Sequence, residues 1–201
     1  SQGLDYLGLD IAEGPVGMIN LRGDQLGRAE TAAVVGDALD MNLFRDSTFD
    51  SVVAIGSLHH TGDFDRAIGE VVRVTKTEGN VVGMVYSLFS ARNWTKRPLL
   101  LLRELLRPAR SGGARILADE HLRWMSDYNS SGEAAPSTEY FSRRALRRVL
   151  EPYGKVTIRA RNLDSMGLLG WSFPRVRLAL LRTPLALLLG LDLYFHIEVK
   201  K

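Results

Sequence analysis

The sequence predicts an α/β fold built around a mostly parallel β-sheet. Short apolar runs rich in β-branched residues alternate with segments that have helical periodicity. Each run is apolar almost throughout, which is typical of strands covered by helices on both faces. Several of these runs end on polar residues, and in a parallel sheet such strand ends meet along one edge.

The first 91 residues contain four of the predicted strands. These are the runs at residues 6–10, 33–37, 51–55 and 81–86. A segment of about helix length separates the first two runs. Residues 63–75 predict a helix after the third run, because apolar positions recur on one face and Asp63 can cap the N-terminus. Residues 1–91 are therefore interpreted as the first part of the core.

Residues 92–140 interrupt this alternation. The segment 98–107 predicts a helix, residues 111–113 predict a turn, and residues 130–137 have the composition of a loop. We interpret residues 92–140 as a helical insertion that covers one end of the sheet and forms a substrate cap.

Residues 141–201 return to the core. Ser142 can cap a helix at residues 142–150, and residues 155–160 and 192–199 predict two further strands. Residues 178–191 are rich in leucine, but Arg182 and Pro184 interrupt the run, which is too short to span a bilayer. A buried helix or lid is expected there, and contact with a membrane interface is the alternative.

Composition narrows the range of functions. The absence of cysteine excludes a disulfide framework, a cysteine nucleophile and a cysteine zinc site, and it favours the reducing cytoplasm. Residues 1–91 hold 6 Lys and Arg against 13 Asp and Glu, whereas residues 92–201 hold 20 against 10. The basic half could attract an anionic substrate or a membrane surface, although a solvated helix face is the commoner explanation. A nucleic-acid partner is not expected, because the arginines lack interleaved aromatic residues.

The strand ends carry the residues with functional chemistry. Asp10 and Asp37 close the first two strands, and Gly56, Ser57 and a pair of histidines follow the third. Carboxylates at such positions can accept hydrogen bonds from ribose hydroxyls or from an exocyclic amine. Either aspartate alone could be a turn residue. Their occurrence at successive strand ends predicts a nucleotide site.

Two ordered motifs carry a family resemblance. GLDIAEGPV and then VVGDALDMNLFRDSTFDSVVAIGSLHHTGDFDRAIGEVVRVTKTEGNVVGMVY resemble the class I S-adenosylmethionine-dependent methyltransferases of the type-11 group, which includes quinone-biosynthesis methyltransferases. The resemblance covers about residues 4–90 and, more loosely, residues 128–199. It implies a Rossmann-like, mostly parallel sheet with an antiparallel last strand. It also implies S-adenosylmethionine as cofactor and a small organic methyl acceptor. The leucine-rich segments that are expected to cover the site favour a lipophilic or aromatic acceptor.

The resemblance also implies roles for individual residues. Asp10 matches the acid that holds the cofactor ribose, with Ile11 beside the adenine, and Asp37 and Ala38 match the pair at the adenine edge. The cofactor residues implied for the methionine portion are Ile55, Gly56 and Ser57. Residues 58–60 match the segment beside the substrate. We therefore interpret residues 1–91 as the cofactor-binding part of the core.

One departure from the family pattern concerns its glycine-rich loop. The loop, G-x-G-x-G, lies roughly 20 residues ahead of the ribose-binding acid in such folds, and counting back from Asp10 passes residue 1. No two glycines in this sequence are separated by one residue. We expect the first strand, the loop and the first helix to be missing. The strands ending at Asp10 and Gly56 would then lack a partner, and cofactor binding by this chain alone would be weak.

The two histidines raise the question of a catalytic base. Methyl transfer from a sulfonium is a displacement that depends mostly on holding nucleophile and methyl in line. His59 or His60 could still remove a proton from the acceptor, since an unperturbed histidine pKa lies near neutral pH. The alternatives are a capping role and a pocket-shaping role. Metal ligation is not expected, because adjacent histidines diverge on an extended segment.

Other interpretations remain open on the sequence alone. Tyr86, Trp94, His121, Trp124 and Tyr128 could form a substrate wall or an aromatic core within the insertion. A nicotinamide-dependent oxidoreductase would also place an acid on a ribose, and a non-catalytic binding protein could retain the same fold. The expected partner is a small-molecule acceptor, with peripheral membrane contact as a further alternative. The sequence says nothing about oligomeric state.

Overall fold

The computed structural model describes residues 5–27, 32–106, 112–119, 123, 137–163, 167–168, 171–172 and 174–201. Its strands are β1 (Gly8–Asp10), β2 (Ala33–Val35), β3 (Phe49–Ile55), β4 (Thr75–Ser87), β5 (Arg115–Leu117), β6 (Glu139–Phe141), β7 (Gly154–Arg161), β8 (Gly167–Leu168), β9 (Trp171–Ser172) and β10 (Asp192–Val199). Its helices are α1 (Glu13–Gln25), α2 (Phe64–Val74), α3 (Ala91–Lys96), α4 (Pro98–Leu105), α5 (Arg143–Leu150), α6 (Pro174–Leu181) and α7 (Leu185–Leu189). Short 3₁₀ turns lie at Leu58–His60 and Glu151–Tyr153.

Strand β4 organises the larger sheet. β3 runs parallel to it on one side, and β10 runs antiparallel to it on the other, followed by β7. β6 lies parallel beside the last two residues of β4, and β5 pairs antiparallel with β6. The α/β class and the antiparallel last strand are confirmed, and the sheet is mixed because β10 and β5 contribute antiparallel pairs.

The sheet is divided between β1 and β3. β1 and β2 form a separate parallel pair, and in the described part of the chain no strand pairs with the free edge of β3. Val53 and Ile55 on β3 are exposed. The backbone groups on this edge therefore lack strand partners in the part of the chain that the structure describes. Neighbouring elements enclose a cavity here instead.

The main core lies between α2, α5 and the sheet. α2 buries Ile68, Val71 and Val72 against the sheet, which confirms the amphipathic face predicted from the sequence. Phe64 is buried with them. Its cap is also as predicted, because the Asp63 side chain accepts a hydrogen bond from the Arg66 backbone N–H at 3.1 Å. Ser142 caps α5 by accepting from the Ala145 N–H at 3.2 Å. These contacts hold α2 against β4 and next to the Leu58–His60 turn that follows β3.

The predicted insertion is partly helical. α4 lies where a helix was expected, whereas α3, just before it, was not predicted. Leu101 of α4 packs in a second core cluster with Leu88 and Tyr140. β5 and β6 were not predicted. The predicted loop at residues 130–137 lies outside the described residues except for Ser137. His121, Trp124 and Tyr128 also lie outside them.

The leucine-rich segment near the C-terminus forms two short helices, α6 and α7. They are separated at residues 182–184, where the sequence places Arg182 and Pro184. α7 packs against β7. Among the described residues, no helix has the length and apolar character needed to cross a membrane.

Candidate functional site

A cavity of about 650 Å³ lies between β1 and β3. Its lining includes six of the predicted site residues: Asp10, Ile11, Asp37, Ala38, Ser57 and His60. The structure thus brings the ends of three separate strands to one hollow. Its volume is in the range of small-molecule and cofactor sites.

The other three predicted site residues, Ile55, Gly56 and His59, do not line the cavity. Ile55 ends β3 and Gly56 follows it, immediately before Ser57, but neither contributes to the cavity lining. Gly56 has a φ of 74°, a conformation that a residue with a Cβ rarely adopts. Its N–H donates to the Met84 carbonyl at 3.2 Å. This turn directs the chain out of the sheet, so that Ser57 and His60 reach the cavity.

The two aspartates are held in similar ways. The Asp10 Oδ1 atom accepts from the Ala12 N–H at 2.8 Å, and the Asp37 Oδ1 atom accepts from the Leu39 N–H at 2.8 Å. The Gly36 N–H donates to the Asp10 carbonyl at 2.9 Å, which ties the two strand ends together. Among the described residues, neither Oδ2 atom has a hydrogen-bond partner. Each carboxylate is therefore oriented by one oxygen and can accept from a ligand with the other.

His60 is oriented by residues far along the chain. Its Nδ1 atom lies 2.9 Å from the Ser137 carbonyl oxygen and 3.1 Å from the Thr138 Oγ1 atom. The Thr138 hydroxyl donates to the Ser137 carbonyl at 2.8 Å. A carbonyl oxygen can only accept, so we assign the neutral-ring proton to Nδ1 and the lone pair to Nε2. Nε2 is then the atom that can accept a proton.

His59 is completely buried beside His60. Its ring lies 4.0 Å from the His60 ring and 4.5 Å from the Tyr86 ring, centroid to centroid. Both of its ring nitrogens are buried, with no hydrogen-bond partner among the described residues. Burial, reinforced by the nearby His60, lowers the pKa of His59 to about 3. His59 is therefore neutral at physiological pH, and its burial argues against a role as proton acceptor for a substrate.

An ion-pair network supports the part of the cavity wall formed by Met41. Met41, a lining residue, donates its N–H to Glu70 Oε2 at 2.8 Å and accepts from Arg73 Nη2 at 3.0 Å. Arg73 also binds Asp46 at 2.7 Å. The hydrogen bond from Arg73 lowers the pKa of Glu70. These contacts anchor the segment after Asp37 to α2.

A second network connects the insertion to α2. The buried Glu139 side chain accepts from the Phe64 N–H at 3.3 Å and pairs with Arg115, which also pairs with Asp65. The Arg115 guanidinium lies 5.1 Å from the centroid of the Phe141 ring. Glu139 directly follows Thr138 in the chain, so this network positions the residues that orient His60.

The aromatic candidates from the sequence separate into two groups. Tyr86 lies next to the site, with its ring centroid 5.9 Å from that of His60. Trp94 packs near Phe89 at the second core cluster, as in the aromatic-core interpretation. The described residues contain no group of three or more His, Asp or Glu side chains arranged for a metal ion.

Comparison with known sequences identifies a matching family. Residues 1–83 match the family described as "Methyltransferase domain". The demethylmenaquinone methyltransferase of Thermobifida fusca (strain YX) is 39% identical over 69 residues, which are 33% of this chain and 29% of that protein. The match therefore spans less than a third of the relative's length.

Comparison with solved structures extends over nearly the whole chain. A SAM-dependent methyltransferase from Methanosarcina mazei aligns over 97% of this chain and 82% of its own, with a TM-score of 0.54 and 17% identity. Geranyl diphosphate methyltransferase in complex with SAM aligns over 97% of this chain and 68% of its own, with a TM-score of 0.52 and 16% identity. At this level of identity the likeness shows a shared fold.

Proposed function

We propose that the chain takes part in methyl transfer from S-adenosylmethionine to a small organic acceptor, because residues 1–83 match the methyltransferase domain family. The observation that carries this proposal is the common cavity lined by Asp10, Asp37, Ser57 and His60. The comparisons do not favour a nicotinamide-dependent oxidoreductase or a non-catalytic binding protein.

The residues of the cavity fit this cofactor chemically. Each aspartate holds one oxygen toward its own backbone and leaves Oδ2 as an acceptor. Asp10 would hold the ribose hydroxyls with Ile11 beside the adenine, and Asp37 and Ala38 would hold the adenine edge. Ser57 would flank the methionine portion, at the turn that Ile55 and Gly56 form. When bound, the cofactor supplies a methyl group on a positively charged sulfur.

His60 is proposed as the proton acceptor for the substrate. Its Nδ1 contact with Ser137 fixes the ring so that Nε2 carries the lone pair. His59 would support the His60 ring by packing against it. Most of the acceleration would come from holding the acceptor in line with the methyl group, and proton removal would add to it.

The acceptor class is proposed to be lipophilic. The cavity lining is largely apolar and includes Leu9, Val52, Leu58 and Phe44. The name of the Thermobifida relative indicates a quinone-type acceptor for that protein. For the present chain we propose only that the acceptor is lipophilic, as a quinone is. We further propose a cytoplasmic location, in keeping with the absence of cysteine.

Chemical-shift mapping tests the proposed cofactor site even where affinity is low. Adding millimolar S-adenosylmethionine to the ¹⁵N-labelled chain should shift the amide signals of Asp10, Ile11, Asp37 and Ser57. Adenosine should shift the first three with little effect on Ser57. Shifts confined to another surface, or no shifts at millimolar concentration, would overturn the proposal.

A further inference from the structure

We propose that α4 and the paired helices α6 and α7 form a surface that docks onto an anionic lipid bilayer. This inference does not depend on the proposed methyl-transfer activity, because it rests on the outer faces of these helices. The α4 face is the exposed side of α4, with Leu99, Arg103 and Leu106. The α6–α7 face is the exposed side of α6 and α7, with Arg175, Leu178, Arg182 and Leu188.

The α4 face reverses the usual distribution of side chains on a surface helix. Leu99 is 82% exposed and Leu106, directly after the helix, is 74% exposed. Leu101 and Glu104 point inward, and Glu104 is only 8% exposed. The single acid of the helix is thus buried while leucines face outward, which is unfavourable in water.

The α6–α7 face combines leucine with arginine. Leu178 and Leu188 are exposed, and so are Arg175 and Arg182. Residues 174–191 contain no acidic residue. Exposed leucines with arginines among them are typical of segments that lie in the headgroup region of a bilayer, with the apolar groups inserted and the cations near lipid phosphates.

Both faces are attached at the carboxyl end of β4. Leu101 packs with Leu88, which directly follows β4. The carbonyl of Leu191, just beyond α7, accepts from the Ser87 N–H at 2.7 Å. The same strand end carries Tyr86, which contacts the histidines. A docked bilayer would therefore lie at the end of the sheet that carries His60.

The charge distribution favours a bilayer over a second copy of the chain. The exposed charged side chains of the two faces, Arg103, Arg175 and Arg182, are all basic. Two such arginine-bearing faces would repel each other in a symmetric dimer, whereas anionic lipid would be attracted to both. The occupant to which we commit is a bilayer containing anionic phospholipid.

Vesicle flotation of the full chain tests this surface. We expect binding to phosphatidylglycerol/phosphatidylcholine vesicles and little binding to phosphatidylcholine alone, with a decrease as salt is raised. Paired substitution of Leu99 and Leu106 by Glu, or of Leu178 and Leu188 by Glu, should lower partition by about ten-fold or more, since burial of one leucine alone can supply that factor. Replacing Arg103 or Arg182 by Gln should lower it by about five-fold per residue.

A matched control uses exposed leucines on the acidic half of the chain. Replacing Leu21 and Leu26, at the end of α1, by Glu introduces the same change away from the proposed surface and should leave partition unchanged. Circular dichroism confirms that each variant is folded. Equal partition of all variants, or no binding to anionic vesicles, would overturn the proposal. So would light scattering that shows a dimer dissociated by the Leu99 and Leu106 substitutions without any lipid binding.

Discussion

The Nδ1 atom of His60 lies 2.9 Å from the carbonyl oxygen of Ser137, 77 residues further along the chain. The contact joins the end of β3 to the residues just before β6. It fixes both the direction of the imidazole ring and the position of its proton. The cavity therefore obtains an oriented histidine only when the two parts of the chain fold against each other.

The tautomer of His60 can be measured directly. Because the Ser137 carbonyl accepts from Nδ1, we expect the neutral ring to carry its proton on Nδ1 in ¹⁵N NMR spectra of the histidine-labelled chain. His60→Gln identifies the signals. A neutral ring protonated on Nε2 would contradict the assignment.

Replacing His60 by glutamine tests its proposed role in proton removal. The glutamine amide can still donate to Ser137 but cannot accept a proton, so turnover should fall by about 10²–10⁴-fold if His60 acts as base. Formation of S-adenosylhomocysteine with demethylmenaquinone as probe acceptor measures this loss. His196→Gln is the control, because His196 contacts Asn80 on the sheet and does not line the cavity. Unchanged turnover in His60→Gln rules out an essential base.

The aspartates can be tested separately through cofactor affinity. Asp10→Asn and Asp37→Asn each remove one charged acceptor, and we expect each change to raise the Kd for S-adenosylmethionine by about ten-fold. Titration followed by amide shifts gives the Kd even when binding is weak. Asp24→Asn, an exposed site at the end of α1, should bind as the parent chain does. Equal Kd values for all three variants would show that Asp10 and Asp37 do not contribute to cofactor binding.

Much of the core could be predicted from local sequence signals. β10 occupies residues 192–199 as predicted, and Asp63 and Ser142 cap their helices because a short polar side chain precedes each apolar pattern. β5 and β6 were missed because strands of three residues are too short to show periodicity. Residues 77–79 belong to β4, at a shift in its pairing to β3.

The site was predictable only in part, because some of its contacts depend on the tertiary fold. Asp10, Asp37, Ser57 and His60 follow strand ends, and parallel strands bring such ends together. Ser137 and Thr138 gave no signal, since their contact with His60 depends on the tertiary fold. His59 and His60 are chemically identical neighbours, and they are distinguished by burial and hydrogen bonding, which depend on the tertiary fold.

A close approach between β4 and β10 gives a stability prediction. Gly83 pairs with Phe195, and a Cβ added to Gly83 would lie 2.1 Å from the Phe195 Cζ atom. Gly83→Ala should therefore destabilise the chain by about 1–3 kcal/mol through overpacking. Gly17→Ala in α1 is the matched control, because nothing lies within 4 Å of its added Cβ. It should raise stability by about 0.5–1 kcal/mol. Thermal unfolding measures both, and an unchanged Tm for Gly83→Ala would show that the Phe195 ring moves aside.

Because His59 is buried, we predict that the free energy of unfolding decreases at acidic pH. Its folded pKa, lowered to about 3 by burial, lies below the ordinary histidine value of about 6.5. As pH falls below 6.5 the unfolded chain therefore binds a proton that the folded chain excludes, and the free energy of unfolding decreases until the pH reaches about 3. Above pH 6.5 both states are neutral and the contribution vanishes. At pH 5 the loss should be about 2 kcal/mol.

His59→Leu isolates this contribution. Leucine fills a similar apolar space and removes two nitrogens that have no partner among the described residues, so stability at pH 7.5 should change little. At pH 5 the variant should exceed the parent chain by about 2 kcal/mol, because it has no proton to exclude. Urea unfolding at the two pH values separates these outcomes, and parallel curves for His59→Leu and the parent chain would show that water reaches the His59 ring in the folded protein.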